Sequence, residues 1–275
     1  MSRDERARAA GRPGWGRMLL VGVVIAYLAV LMLAPIGALV YGALEEGPAR
    51  VLSALADAKV VRAFWLTIVI SAICVAVHGV FGTIVAWVLA RQRFAGQRLL
   101  NGLIDLPFAI SPVVAGYMLL LLFGRHGLLA PLLEAMGWKV AFAFPGMVLA
   151  TLFVTLPFMV RELTPALEAF GTDQEQAAAT LGARPWQIFR FVTFPALRWA
   201  FLYGAVLTFA RALGEFGAVL VVGGGVQGRT ETATLYIYRA LDDRQYAGAY
   251  GAALLLGALS LALVLGAEVM RKKRH

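Results

Sequence analysis

Residues 172–195 read TDQEQAAATLGARPWQIFRFVTFP, a polar stretch set between two strongly apolar segments. Thr172 followed three residues later by Glu175 predicts a capping box, each side chain satisfying a free backbone N–H at a helix start. Good helix formers follow until Gly182, the usual residue at a left-handed helix stop. Pro185 suits the first turn of a second helix, where no N–H is needed. Pro195 is expected to break that helix. Two short helices about a Gly hinge make a rigid knob. Ala177 and Ala178 give it a face of little bulk, open to close approach by another backbone.

The flanking chain is apolar enough to set the class. Of 275 residues, 60% are hydrophobic and 15% charged, which excludes an ordinary soluble domain. A bilayer core needs about twenty apolar residues per helix. Six segments qualify: 18–42, 63–90, 99–123, 144–162, 199–222 and 247–269. Lipid cannot satisfy backbone polar groups, so runs of this length must be helical. The first run follows an Arg-rich stretch but is too long for a secretory signal core, and no small-residue cleavage site follows it. It reads as a retained span.

Lys and Arg placement gives the orientation. Arg3, Arg6, Arg8, Arg12, Arg17, Arg91, Arg93, Arg98, Arg161, Arg184, Arg190, Arg198, Arg271, Lys272, Lys273 and Arg274 fall on one side, sixteen in all. The opposite loops hold eight: Arg50, Lys59, Arg62, Arg125, Lys139, Arg229, Arg239 and Arg244. Both termini and the polar loop are therefore expected in the cytoplasm. Residues 1–17 and 271–275 are basic tails around a transmembrane body, 18–270. The net charge of +9 sits at membrane edges, where it favours anionic lipid and needs no nucleic acid.

Catalytic chemistry is poorly represented. Cys74 is the single cysteine, which excludes an intrachain disulfide. His78, His126 and His275 lack metal-ligand spacing. There is no Ser/His/Asp or Cys/His set and no Walker A pattern. Gly223-Gly224-Gly225 is followed by Val226 and Gln227, so it reads as the end of span five and the start of an external loop reaching Tyr246. Any ATP-driven step needs another subunit.

Three features stand out inside the spans. Arg211 lies near the middle of span five with Glu215 one turn later, and neither charge should face lipid. They form either a fixed polar clasp or part of an anion pathway. Asp105, two residues before Pro107, is placed to cap a new helix segment or to face the same pathway. Pro107 and Pro112 are expected to interrupt span three. Span six carries Ala249, Ala253, Gly257, Ala258, Ala262 and Gly266 at four-residue spacing, which suits close packing within the chain.

The polar stretch resembles the EAA loop of bacterial ABC-importer permeases. That pattern is Glu-Ala-Ala, three residues, Gly, nine residues, then Ile-x-Leu-Pro. Ala177, Ala178, Gly182 and Pro195 fall in register, with Val192 and Phe194 replacing Ile and Leu. Gln176 stands at the motif Glu, with Glu175 beside it. IDLPFAISPVVAG, GRHGLLAPLL, FAFPGMVLATLFVTLPFMVREL and RWAFLYGAVLTFARALGEFGAV extend the likeness from span two to span six. These stretches look like sulfate permease subunits of the CysW type. The sister CysT type and the molybdate permeases share much of the pattern.

The resemblance implies an all-α, six-helix, type I ABC-importer permease of the bacterial inner membrane. It implies no cofactor in this chain, with ATP and Mg bound by a cytoplasmic ATPase dimer. A CysT-type sister permease and a periplasmic sulfate-binding protein complete the implied complex. Residues 163–198 would be the cytoplasmic coupling loop, in which Glu175, Gln176, Ala177, Ala178, Gly182, Arg184 and Pro195 link permease to ATPase. ATP-driven closure of the ATPase dimer would tip the pathway outward, and hydrolysis would reset it. The cargo would be sulfate or thiosulfate, with molybdate or tungstate the nearest alternative and a secondary anion transporter the rival from another class. Asp242, Asp243 and Arg244 would help seat the binding protein.

Overall fold

The computed structural model describes residues 15–272. Arg3, Arg6, Arg8, Arg12, Lys273, Arg274 and the side chains of Arg271 and Lys272, all counted in the expected tails, lie outside the described residues. Five helices are long and apolar enough to cross a bilayer: α1 (Trp15–Glu46), α3 (Ala58–Arg91), α7 (Phe144–Phe170), the rod Pro185–Leu213, and α13 (Tyr246–Lys272). Span three is a bent pair, α4 (Gln97–Ala109) and α5 (Pro112–Phe123), which passes the same test as a sixth. Short helices α2 (Pro48–Leu55), α6 (Ala130–Ala135) and α12 (Ala233–Asp242) join them. No strand occurs among the described residues.

Helix α7 is the centre of the bundle, packed by α3, α4, α5 and the rod. Its buried side chains recur at three- and four-residue steps, Met147, Ala150, Val154, Pro157, Val160, Leu163 and Leu167. Glycine lets the neighbours approach. A Cβ on Gly82 of α3 would stand 3.0 Å from the Met159 side chain, and one on Gly204 of the rod 3.0 Å from its sulfur. Five buried hydroxyls are satisfied within their own helices: Thr67, Ser71, Thr151, Thr155 and Thr164 each donate to the carbonyl four residues back. His78 does structural work, its Nε2 lying 3.1 Å from both Leu152 O and Thr155 Oγ1 of α7.

Helix α1 stands apart, burying only Ala43 and resting against α13. Asp57 caps α3, its carboxylate accepting the Lys59 N–H at 2.7 Å.

Several expected boundaries move. Span three breaks through 112°, more sharply than a kink, and the break falls at Ile110–Ser111. Ser111 precedes Pro112, which disfavours helix there; it takes φ −58°, ψ 137°, and Pro112 opens α5. Asp105 therefore caps nothing. It lies within α4, and Pro107 is carried inside the same helix. Span four is one 27-residue helix running beyond its apolar stretch to Phe170, where Gly171 takes φ 70°. The loop expected from residue 163 begins only there.

Span five also shifts. The helix runs Pro185–Leu213, turns at Gly214–Phe216, and restarts as α11 (Gly217–Gly223). Arg211 is thus in the last turn of a helix, just ahead of this break. Hydropathy does not register this break, because ALGEFGAVLVV stays apolar through it. The stretch Gly223–Tyr246 is not a plain loop either: α12 buries Ala233, Leu235, Tyr236 and Ala240. In span six, Ala249 is buried, but Gly257, Ala258, Ala262 and Gly266 are exposed; packing within the chain uses Gly251, Ala252 and Ala267 instead.

Helices α5 and α11 touch through Gly116, where a Cβ would lie 2.8 Å from Ala218 O and 2.9 Å from Val221 Cβ. Gly116→Val should therefore destabilise the protein by about 1–3 kcal/mol, as overpacking does. A lowered melting temperature in detergent is the expected reading; an unchanged one would show that the two helices separate freely.

Candidate functional site: the coupling loop and the intramembrane charges

After Gly171 the chain forms α8 (Asp173–Thr180), with Thr172 before it. The stop at Gly182 is as the sequence leads one to expect. Gly182 takes φ 85°, its N–H bonds Ala179 O at 2.9 Å, and the Ala183 N–H bonds Ala178 O at 3.1 Å. These are the two bonds of a Schellman stop. Pro185 opens α9 (Pro185–Ile188), and the Arg184 N–H is taken by the Gln187 side chain at 2.8 Å.

Two expectations fail here. Thr172 and Glu175 do not form a capping box: the Thr172 hydroxyl accepts from Gln176 Nε2 at 3.1 Å, and Glu175 turns inward. Pro195 does not end the second helix. The chain winds through a π turn, Phe189–Thr193, directly into α10 (Phe194–Leu213), with Pro195 in its first turn. There the missing N–H is least costly.

Glu175 meets Arg91, the last residue of α3. Arg91 Nε donates to Glu175 Oε2 at 3.0 Å, and Nη2 to Oε1 at 3.3 Å. The same guanidinium donates to Leu167 O at 2.9 Å and Gly171 O at 2.6 Å, carbonyls at the end of α7. Thr193 Oγ1, in the π turn, donates to Glu175 Oε1 at 2.7 Å. On the outer side, Gln176, Ala177, Gly182 and Arg184 are exposed, and Ala178 is half-buried. Leu181 and Trp186 stand 88% and 65% exposed beside them.

Within the membrane body, Arg211 and Glu215 do pair, Nη1 to Oε2 at 2.9 Å, although a helix end separates them. Glu215 Oε1 accepts the Ala218 N–H at 3.1 Å, so the carboxylate also satisfies the start of α11. The Glu215 side chain is 2% exposed and that of Arg211 29%. Arg211 borders a cleft of about 400 Å³ whose far wall is the break in span three, Pro107 to Pro112, with Val154 and Phe158. Asp105 lies in neither this pair nor the cleft lining. It is gripped by Arg161 of α7, whose Nε donates at 2.8 Å and which also reaches Asn101.

Sequence reasoning assigned Arg91 and Arg161 only to membrane topology and passed over Thr193 and Asn101. A cation interrupting the apolar face of α7 was a usable signal for Arg161, since such a charge needs a partner. For Arg91 no local signal exists. At α12, Arg239 holds Glu231 at 2.6 Å and Asp243 at 3.0 Å, so Asp243 of the expected docking cluster is already paired within the chain.

Known proteins share this architecture. The bacterial alginate ABC transporter, solved with its pentasaccharide-bound periplasmic protein, superposes with a TM-score of 0.78 over 94% of both chains at 16% identity, a likeness of fold. The MetNI methionine transporter in inward-facing conformations gives 0.56 over 78% of this chain and 94% of that one, at 16% identity. The sulfate transport permease CysW of Synechococcus elongatus is 47% identical, over 89% of this chain and 85% of its own length. CysW of Escherichia coli K12 is 44% identical over 92% and 88%. CysT of the same organism is 35% identical over 94% and 93%. Residues 78–273 match the model of the binding-protein-dependent transport system inner membrane component. On the strength of that match and of relatives spanning nearly its whole length, the chain belongs to the inner membrane components of binding-protein-dependent transport systems.

Proposed function

We propose that this chain is the membrane-spanning permease subunit of an ATP-driven sulfate importer of the bacterial inner membrane. The observation that carries the reading is the 47% and 44% identity to sulfate transport permeases along about nine-tenths of the chain, against 35% to the sister CysT type. Those values favour a heterodimer in which a CysT-type chain is the second permease. Thiosulfate is the related cargo; molybdate and tungstate, of similar shape and charge, are the competing ones.

In this reading the chain is not an enzyme. ATP and Mg are bound and turned over by a cytoplasmic ATPase dimer that docks on the loop. The exposed outer side of that loop supports the assignment: Ala177 and Gly182 leave room for a partner backbone, while Leu181 and Trp186 offer apolar surface. Gln176 and Arg184 supply hydrogen bonds and charge at its edge. Both termini lie with the loop in the cytoplasm, and a periplasmic sulfate-binding protein delivers the anion to the opposite face.

The cleft at the break of span three is the best candidate for the anion's path. Arg211 offers its partly open guanidinium there, and Glu215 neutralises it from behind. One cation so balanced attracts a dianion weakly, which suits passage more than retention. Asp105, locked to Arg161, holds α4 against α7 and shapes the cleft from outside its lining.

The test is uptake of labelled sulfate into proteoliposomes holding this chain, its sister permease and the ATPase, with binding protein outside and ATP inside. Uptake needing both ATP and binding protein, and surviving excess molybdate, is the expected result. Displacement by molybdate would reassign the cargo. Uptake driven by an ion gradient without the ATPase would overturn the reading.

A further inference from the structure

We propose that Arg91 is the residue through which movement of α8 reaches spans two, four and five, and that Glu175 serves this internal clasp rather than the ATPase surface. The proposal rests on the reading of the chain as an ATP-driven permease.

Helix α8 buries none of its residues, so apolar packing does not fix it to the body. It is also tethered at both ends by left-handed glycines, Gly171 at φ 70° and Gly182 at φ 85°. A helix joined in this way swings without moving what lies behind it, unless something rigid crosses the gap. The Arg91 guanidinium is that crossing. Four donor–acceptor contacts engage it, two on Glu175 and two on the carbonyl end of α7, while its own backbone closes α3. Glu175 carries the connection onward to Thr193, at the foot of the span-five rod.

The clasp is suited to carrying force. Its bonds are charge-assisted and come from a planar fork, so they resist rotation as well as pulling. The side chains of Arg91 and Glu175 are 8% and 16% exposed, so water and salt screen them little. Cation and α7 carbonyl end are also electrostatically matched, as are Glu175 and the first turn of α8. The loop thereby divides its work. Gln176 and Ala177 face outward, Glu175 faces inward, and Thr193 sits where π winding gives the rod a local point of adjustment.

The experiment is made on the complete complex in proteoliposomes, with anion uptake and ATP hydrolysis read in the same vesicles. Arg91→Met should leave the ATPase bound and basal hydrolysis intact, yet cut uptake by roughly tenfold, within the range of ordinary coupling factors. Stimulation of hydrolysis by loaded binding protein should disappear with it. Thr193→Val severs only the connection to span five and should give a smaller loss of uptake with the same sign. It also decides the matter if Arg91→Met fails to assemble. Wild-type uptake in Arg91→Met, or in Thr193→Val where only that variant assembles, would overturn the clasp. So would a parallel fall of uptake, hydrolysis and assembly in Thr193→Val, because that marks a purely structural bond. ATP-independent uptake by the wild-type complex would instead overturn the functional reading itself.

Discussion

Gly182→Asp should assemble into the membrane and lose ATP-driven uptake by at least about tenfold, the scale of a lost coupling interaction. The residue takes φ 85°, a conformation that costs an ordinary L-residue roughly 1–2 kcal/mol but that Asp and Asn accept best. A Cβ there would meet nothing within 4 Å, so the chain itself has room for the side chain. The damage must come from outside, from a carboxylate placed on the face that receives the ATPase. Gly182→Asn separates the causes, having the same shape and backbone preference without charge. Substantial uptake in the Asn variant and almost none in the Asp variant is the expected pair. Equal losses would assign the effect to the turn, and normal uptake in Gly182→Asp would remove Gly182 from the docking face.

The second large effect is expected at Arg211. Arg211→Ala strands the Glu215 carboxylate, 2% exposed, without its cation. Breaking a buried pair from one side costs about 3–5 kcal/mol, which a melting curve of the detergent-solubilised complex will register. Arg211→Ala with Glu215→Gln removes both charges and should recover most of that stability, since the amide still offers its oxygen to the Ala218 N–H. Uptake then decides between the two roles open at this pair. If the double variant regains stability without regaining uptake, the guanidinium serves the anion's path. If both return, the pair is a fixed clasp.

These predictions draw on different sources. The Gly182 turn was readable because everything that makes it is local: the helix formers before it, a residue tolerating positive φ, and a proline after it. The same locality made Pro185 readable as a helix start and Pro112 as the site of a break. Local reasoning failed where a distant group competed for the same atoms. Glu175 has the spacing for a capping box, but a buried guanidinium is a stronger partner than a backbone N–H that water can reach, and Glu175 goes to Arg91. Asp105 likewise has the position of a cap and is taken by Arg161. The helices of span five depart from its apolar length for a related reason. Apolar length measures what the bilayer requires, and the turn at Gly214–Phe216 is stabilised by Glu215 bonding the next helix, which hydropathy does not register.

The sequence by itself determined the class of the protein, the number of its apolar spans, the knob between the fourth and fifth, and the family to which that knob points. Each follows from composition, apolar length or turn chemistry within a few residues, because bilayer and backbone impose their demands locally. Tertiary structure alone decided which charges meet. Arg91 and Glu175 are 84 residues apart, Arg161 and Asp105 56. Their pairing depends on how α3, α4 and α7 pack, and a charge expelled from lipid takes whichever partner that packing brings within reach.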